Sequence, residues 1–450
     1  MASPNHSIKK EGSYKQLISL AAPIMLGILI NQINFATNTY FLDKYGTNEL
    51  AANGVASIYY MVFTMMIVGL CSGVQILLSR RAGEENRTAI GEILSAALKI
   101  GLLLSTLSVL VSLLFAPTLF KQQLHNPDLQ ALATTFITVR IWGLPFFFLQ
   151  QLFVQFLISI GKSQYILLCM VLATAVNILG DYALIFGKFG FPALGIQGAA
   201  IASIASEVAF VLLAAIIFIV HRYGNIYFIK FFRPFDMKLS LTILKVAAPV
   251  MMQYFFSIAS WELFYIYVEH LGAQELAISQ ILRSVFGTAG ASSWALASSC
   301  NATVSNVIGQ GRLQDVTAVV KRSAILSVGI ATIAGLALFL FRTQFLGIYT
   351  NNTALQSAAL APLIVVIVSN ILLAAGTVVF NAVAGTGNTT VSMSIEFAAV
   401  TVYIVYIYLV IERARMNLSW AWGSEFVYWF FLLIVSATYL KFGNWQKRKI

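Results

Sequence analysis

The chain has 450 residues, 59% of them hydrophobic and 10% charged, with a mean hydropathy of +0.83. Soluble domains carry about 25% charged residues, so a soluble fold is excluded. The net charge of +11 would suggest a nucleic-acid partner in a soluble protein, but here the basic residues stand in short polar breaks between long apolar runs, where they orient a membrane protein.

The start, MASPNHSIKKEGSYKQ, is polar and basic and lacks a short apolar core with a cleavage site, so the first apolar run is expected to be a permanent span and not a signal peptide. A span needs about 20 mostly apolar residues. By apolar run and polar break, twelve spans are expected at 14–42, 54–80, 87–118, 127–160, 165–187, 198–221, 241–268, 276–306, 315–343, 354–385, 389–411 and 421–440. In the first, Asn31, Asn34 and Asn38 follow an i, i+3, i+7 pattern and make one amide stripe, extended by Gly27. The fourth holds Arg140. The fifth holds Asn177 and Asp181, four residues apart and so on one helical face, where the amide can donate to the carboxylate. Glu207 in the sixth span is expected to form a structural pair with Arg140. A basic stretch with Pro234, residues 222–240, then reads as a cytoplasmic linker between an N-lobe, 1–221, and a C-lobe, 241–450. In the seventh span Glu262 sits beside Trp261, Phe264 and Tyr265. It could bind a cation there or be neutralised by Arg283 of the eighth span. Glu396 in the eleventh reads as a polar contact within the C-lobe.

An intramembrane carboxylate costs roughly 2.5–3.5 kcal/mol to insert, so each needs a partner, water or a task. Asp181 has two readings, a proton carrier or a fixed polar contact between helices. The four in-span acids found are Asp181, Glu207, Glu262 and Glu396. Cys71, Cys169 and Cys300 are isolated in apolar runs, and His6, His125, His221 and His270 fall at breaks. Neither a disulfide framework, a metal site nor a buried histidine relay is expected.

Of the 28 Lys and Arg, 20 fall on the side of the two termini, among them Lys9, Lys10, Arg80, Arg81, Arg233, Arg448 and Lys449. Six fall on the opposite side, and Arg140 and Arg283 within spans. The positive-inside rule then places both termini in the cytoplasm. An internal repeat runs through the chain: AAPIM at 21–25 returns as AAPVM at 247–251, and YGTNELA at 45–51 as LGAQELA at 271–277, both at an offset of 226. Gly161 and Gly387 keep that offset, while Gly83 and Gly311 are 228 apart. Six spans per repeat give parallel repeats. The expected fold is an all-α membrane protein of two six-helix bundles related by a pseudo-two-fold axis along the membrane normal, with alternating access by rocking of lobes.

The segments LAAPIMLG at 20–27, GTNELAA at 46–52, ISIGKSQ at 158–164, VNILGDYALIFG at 176–187 and ALGIQGAAIAS at 193–203, with the repeat landmarks at Gly272, Gly311 and Gly387, resemble the multidrug and toxic compound extrusion (MATE) transporters over nearly the whole chain. The resemblance implies two six-helix bundles that expel cationic or amphipathic compounds in exchange for H⁺ or Na⁺, with the Asn and Asp pair of the fifth span, here Asn177 and Asp181, in an N-lobe cation site. Members usually have an Asp in the first span eight residues before the loop glycine, where this chain has Asn38, eight before Gly46. A tenth-span Asp is also missing, with Ala374, Ala375 and Gly376 in that region. At offset 226, Asn34 and Asn38 correspond to Ser260 and Phe264, and Glu262 to Ala36.

The expected function is cation-coupled export of small organic compounds, H⁺ ahead of Na⁺, with Asp181, Asn177, Asn38, Asn34 and Glu262 as coupling residues and no substrate residue named. No cofactor and no nucleic-acid partner are expected. The protein is expected as a monomer in the inner or plasma membrane, in contact with lipid. A glycan or lipid flippase of the same superfamily is the alternative within transport. A membrane enzyme or receptor is the alternative from another class, and histidines confined to polar breaks count against it.

Overall fold

The computed structural model describes residues 12–230, 234–349 and 352–447. Lys9, Lys10, Arg233, Arg448, Lys449 and His6 lie outside these ranges. Among the described residues there is no strand, and twelve long helices carry the fold. They are α1 (Tyr14–Tyr45), α2 (Thr47–Gly83), α3 (Arg87–Gln123), α4 (Pro127–Ser159), α5 (Gln164–Phe186), α6 (Ile196–Val220), α7 (Met237–Glu269), α8 (Ala273–Gly309), α9 (Leu313–Leu340), α10 (Thr353–Gly385), α11 (Thr389–Arg413) and α12 (Leu418–Phe442). Each covers one expected span. Several run further than the apolar stretch alone, because helix geometry continues through the polar residues at its ends.

Eleven of the twelve are long and apolar enough to cross a membrane; α8 differs in composition. It has 37 residues, as α2 does, but Ser292, Ser293, Ser299, Asn301, Thr303 and Ser305 lower its hydropathy, and all six are buried. Small and weakly polar side chains let helices approach closely where lipid supplies no hydrophobic drive. A Cβ on Gly385 of α10 would stand 2.7 Å from the Asn301 carbonyl oxygen. The least apolar helix is thus one that faces protein. Leu114 of α3, Ile219 of α6 and Ile333 and Leu340 of α9 are exposed instead, as a lipid-facing surface requires.

The repeat is visible in the helix bounds. Helices α2 and α8 start at 47 and 273 and end at 83 and 309, and α4 and α10 start at 127 and 353 and end at 159 and 385, all at an offset of 226. The caps repeat too: Asn126 accepts from the backbone N–H groups of Asp128 and Leu129, and Asn352 from those of Ala354 and Leu355. Gly161 and Gly387, with φ of 72° and 88°, turn the chain into the next helix in each half. The pairing of Gly83 with Gly311 is corrected. Gly83 is the last residue of α2 and Gly309 the last of α8, and the left-handed position two residues on is Glu85 (φ 55°) in the first half and Gly311 (φ 75°) in the second. The register of 226 therefore holds without a slip.

The helices group into two compact units, Leu26–Tyr254 and, as the other, the chain up to Met25 together with Phe255–Ile450. Both α1 and α7 begin in one unit and continue in the other, a few residues after Pro23 and Pro249. In the first unit α4 packs on α2, α3 and α6, and α5 packs on α6. Glycine permits backbone approach of α2 to the start of α7, since a Cβ on Gly69 would lie 2.5 Å from the Met251 Cα. The first part of the linker docks here as well, with Tyr223 and Tyr227 each 5.5 Å edge-on from the Phe156 ring. In the second unit α10 takes the place of α4, packing on α8, α9 and α12, while α11 packs on α12. Its core is aromatic: Phe264 stands edge-on to Trp422 at 5.2 Å, and both are fully buried.

Candidate cation site

In the unit Leu26–Tyr254, α1 meets α5. Gly27 leaves room for Met170, whose Cγ would lie 3.5 Å from an added Cβ, and Phe41 contacts Tyr182 and Phe186 at ring distances of 6.2 and 5.8 Å. These contacts turn the Asn stripe of α1 towards the polar face of α5. Asp181 is fully buried, and Asn177 nearly so. Neither carboxylate oxygen of Asp181 has a well-formed hydrogen bond; its polar neighbour is the side chain of Asn38. The expected donation from Asn177 to Asp181 is not made, and the Asn177 Nδ2 is buried without a partner. The four-residue spacing puts both on one face but does not bring the amide onto the carboxylate. The Asn34 Oδ1 is also buried and unpartnered, whereas Asn31 is exposed.

Close helix packing holds this face in place. A Cβ on Gly180 would lie 3.0 Å from that of Ala202, and one on Gly198 would lie 2.6 Å from the Leu184 carbonyl, so α5 and α6 touch nearly backbone to backbone on either side of Asp181. A buried carboxylate short of donors, with amide groups beside it, has the chemistry to take up a proton or a small cation.

The other buried acid of this unit does not share that chemistry. Glu207 is paired with Arg140 through two hydrogen bonds, 3.1 Å from Nη1 to Oε2 and 2.5 Å from Nη2 to Oε1, and the guanidinium lies 4.2 Å from the Tyr60 ring centre. Both charges are consumed in a fork-to-fork contact.

Glu262 belongs to the second unit, apart from the four residues above. Its side chain is partly exposed and its carboxylate is 3.9 Å from Arg283, whose guanidinium lies 5.0 and 5.1 Å from the ring centres of Trp261 and Tyr265. Glu396 is buried and accepts from the Tyr428 hydroxyl at 2.6 Å, a polar contact within its unit.

An acid that the sequence reading passed over is Glu425, buried near the start of α12. It accepts from Trp261 Nε1 at 3.1 Å, Tyr403 hydroxyl at 3.1 Å and Trp429 Nε1 at 3.0 Å. The pair Glu425 and Trp429, at i and i+4 inside an aromatic run, was the signal available. Gly376 of α10 seats Trp429: a Cβ there would lie 2.9 Å from the Trp429 carbonyl oxygen.

The MatE family profile matches residues 23–183 and again 249–409, two stretches that begin 226 residues apart. A protein of Thermotoga maritima named as a probable multidrug resistance protein NorM is 23% identical over 97% of this chain and 94% of its own. One of the same name from Synechocystis is 28% identical over 75% of this chain and 73% of its own. Among solved structures, an outward-facing multidrug resistance MATE family transporter of the MOP superfamily aligns with a TM-score of 0.88 at 18% identity, covering 95% of each chain. A MOP superfamily transporter from Pyrococcus furiosus, described as having a binding pocket of reversed polarity, aligns at 0.89 and 17% identity over 98% of this chain and 99% of its own. The likeness to these structures concerns the fold; the double profile match, at the spacing of the repeat, decides the lineage, and the chain belongs to the MatE family of multi-pass membrane transporters.

Proposed function

We propose that this chain is a secondary active exporter of small organic compounds, working by cation-coupled antiport with Asp181 as the carrier of the coupling ion. One observation supports this above the others: Asp181 is fully buried, yet neither oxygen is held by a well-formed hydrogen bond. A purely structural carboxylate would be expected to be paired, as Glu207 is. The probable multidrug resistance proteins among its relatives support the choice of organic substrates. Protons are favoured over sodium because a carboxyl can take a proton with no further ligand, whereas sodium needs several oxygens around it. In this reading Asn38 and Asn34 supply polarity without titrating, and Asn177 offers an amide to the same face.

The lobes of the exporter are taken as residues 1–221 and 241–450, with 222–240 joining them and both termini in the cytoplasm of an inner or plasma membrane. The protein works as a monomer in contact with lipid. Purified protein in lipid vesicles, loaded with ethidium and given a pH gradient or a sodium gradient, tests the proposal. Asp181→Asn should abolish gradient-driven efflux while leaving the protein folded and monodisperse; unchanged efflux from that variant would sink the proposal. Glu262 is the alternative carrier, and coupling moves there if Glu262→Gln stops efflux while Asp181→Asn does not.

A further inference from the structure

A cavity of about 380 Å³ lies in the unit Leu26–Tyr254, between α3 on one side and the end of the linker with the first turn of α7 on the other. Helix α3 supplies Glu92, Ser95 and Lys99, and the opposite wall supplies Phe235, Asp236 and Ser240. The walls therefore carry charges of both signs. Asp236 Oδ1 accepts from the Leu239 backbone N–H at 3.0 Å, which fixes that carboxylate at the start of α7. Ser95 and Ser240 are only 4% and 2% exposed, and their hydroxyls find no partner among the described residues. Buried polar groups are normally satisfied, so two orphaned hydroxyls in the lining of one cavity point to a polar occupant.

The rest of α3 narrows what that occupant is. The helix has 37 residues, about 55 Å at 1.5 Å per residue, enough to cross the ~40–45 Å that includes both head-group layers. With 3.6 residues per turn, positions 92, 96, 99, 103, 110 and 114 fall within a sector of about 60°. The polar wall thus runs straight into Leu103, Leu110 and Leu114, which are 65%, 52% and 72% exposed. Those leucines extend over roughly 16 Å, close to the ~15 Å hydrocarbon depth of one leaflet. On the other wall Phe235 and, next to Ser240, Leu241 are exposed as well. We propose that the cavity seats the head group of an aminophospholipid such as phosphatidylethanolamine, with one acyl chain laid along the leucine face of α3. Lys99 faces the phosphate, with the serine hydroxyls as donors to its oxygens, and Glu92 and Asp236 face the ammonium. A head group with a phosphate and no ammonium leaves the two carboxylates opposite like charge.

The test is native mass spectrometry of the full-length protein released from detergent after titration with dioleoylphosphatidylethanolamine or dioleoylphosphatidylglycerol. Wild type should retain one phosphatidylethanolamine about tenfold more tightly than phosphatidylglycerol, and Lys99→Gln and Asp236→Asn should each weaken that binding about tenfold. Lys121→Gln, at the other end of α3, should leave it unchanged. Equal retention of the two lipids by wild type, or affinity unaltered in both cavity variants, overturns the proposal. Glycerophosphoethanolamine, which has the head group and no acyl chains, should bind far more weakly; equal affinity for it would make the occupant a soluble zwitterion and overturn the lipid assignment. If Lys99→Gln does not yield monodisperse protein, Asp236→Asn decides alone, since an asparagine keeps the side-chain oxygen that caps α7. The measurement needs neither a gradient nor a transported compound, so it stands or falls separately from the exporter reading.

Discussion

Arg140 and Glu207 show how burial decides what a charged residue is for. The sequence placed one acid and one base inside the fourth and sixth spans, and the fold joins them in a two-point contact with the Tyr60 ring against the guanidinium. Removing one partner of a buried pair leaves an uncompensated charge and costs about 3–5 kcal/mol. Glu207→Gln should therefore lower the melting temperature of detergent-purified protein sharply, and the double variant Arg140→Met with Glu207→Leu should recover most of the loss. A melting temperature unmoved by Glu207→Gln would show that the pair contributes little. Asp181 was legible from sequence for the same reason as Glu207, namely the cost of an acid in an apolar run. Their different fates were not legible, because only the packing shows that one has a guanidinium within reach and the other an amide.

At the scale of elements, the helices were readable from apolar runs, and their ends from residues with plain physical roles. Asn126 and Asn352 stand where a side-chain oxygen must satisfy free N–H groups, and Gly161 and Gly387 where φ is positive. Less readable was which face of each helix would touch protein. The contact of α5 with α6 rests on glycines, and Gly198 is the tightest of them on that face. Gly198→Ala would push a methyl group against the Leu184 carbonyl, a kind of overpacking that costs about 1–3 kcal/mol. Because Leu184 is one turn from Asp181, the variant should lose both thermal stability and efflux. Gly329→Ala is the control: nothing lies within 4 Å of its added Cβ, so it should be neutral or slightly stabilising. Equal behaviour of the two variants would show that the close approach of α5 and α6 is not required.

For the molecule as a whole, the repeat and the charge asymmetry make a prediction about topology. Twenty of 28 cationic residues on one side should hold both termini in the cytoplasm. Green fluorescent protein fused at either end should fluoresce in cells, and alkaline phosphatase at the same positions should be inactive; active phosphatase at one end would break the parity of spans. The same whole-chain view separates scaffold from chemistry. At the shared offset, Asn38 beside Asp181 corresponds to Phe264 packed on Trp422, and Asn177 corresponds to Tyr403, which donates to Glu425. Equivalent backbone positions thus serve a bare carboxylate in one unit and a carboxylate held by aromatic donors in the other.

The sequence by itself determined the number of helices, their order, the 226-residue register and the family, because each of these follows from local apolar runs, turn residues and a long pattern repeated in one chain. Tertiary structure alone decided which polar groups meet. A membrane helix can rotate about its axis without changing its hydropathy, so the partners of Asp181, the capture of Glu262 near Arg283 and the three donors around Glu425 depend on how neighbouring helices pack. That is why Asn177 and Asp181 share a face without sharing a hydrogen bond, and why the acid with the fullest set of donors, Glu425, was the one the linear pattern did not reveal.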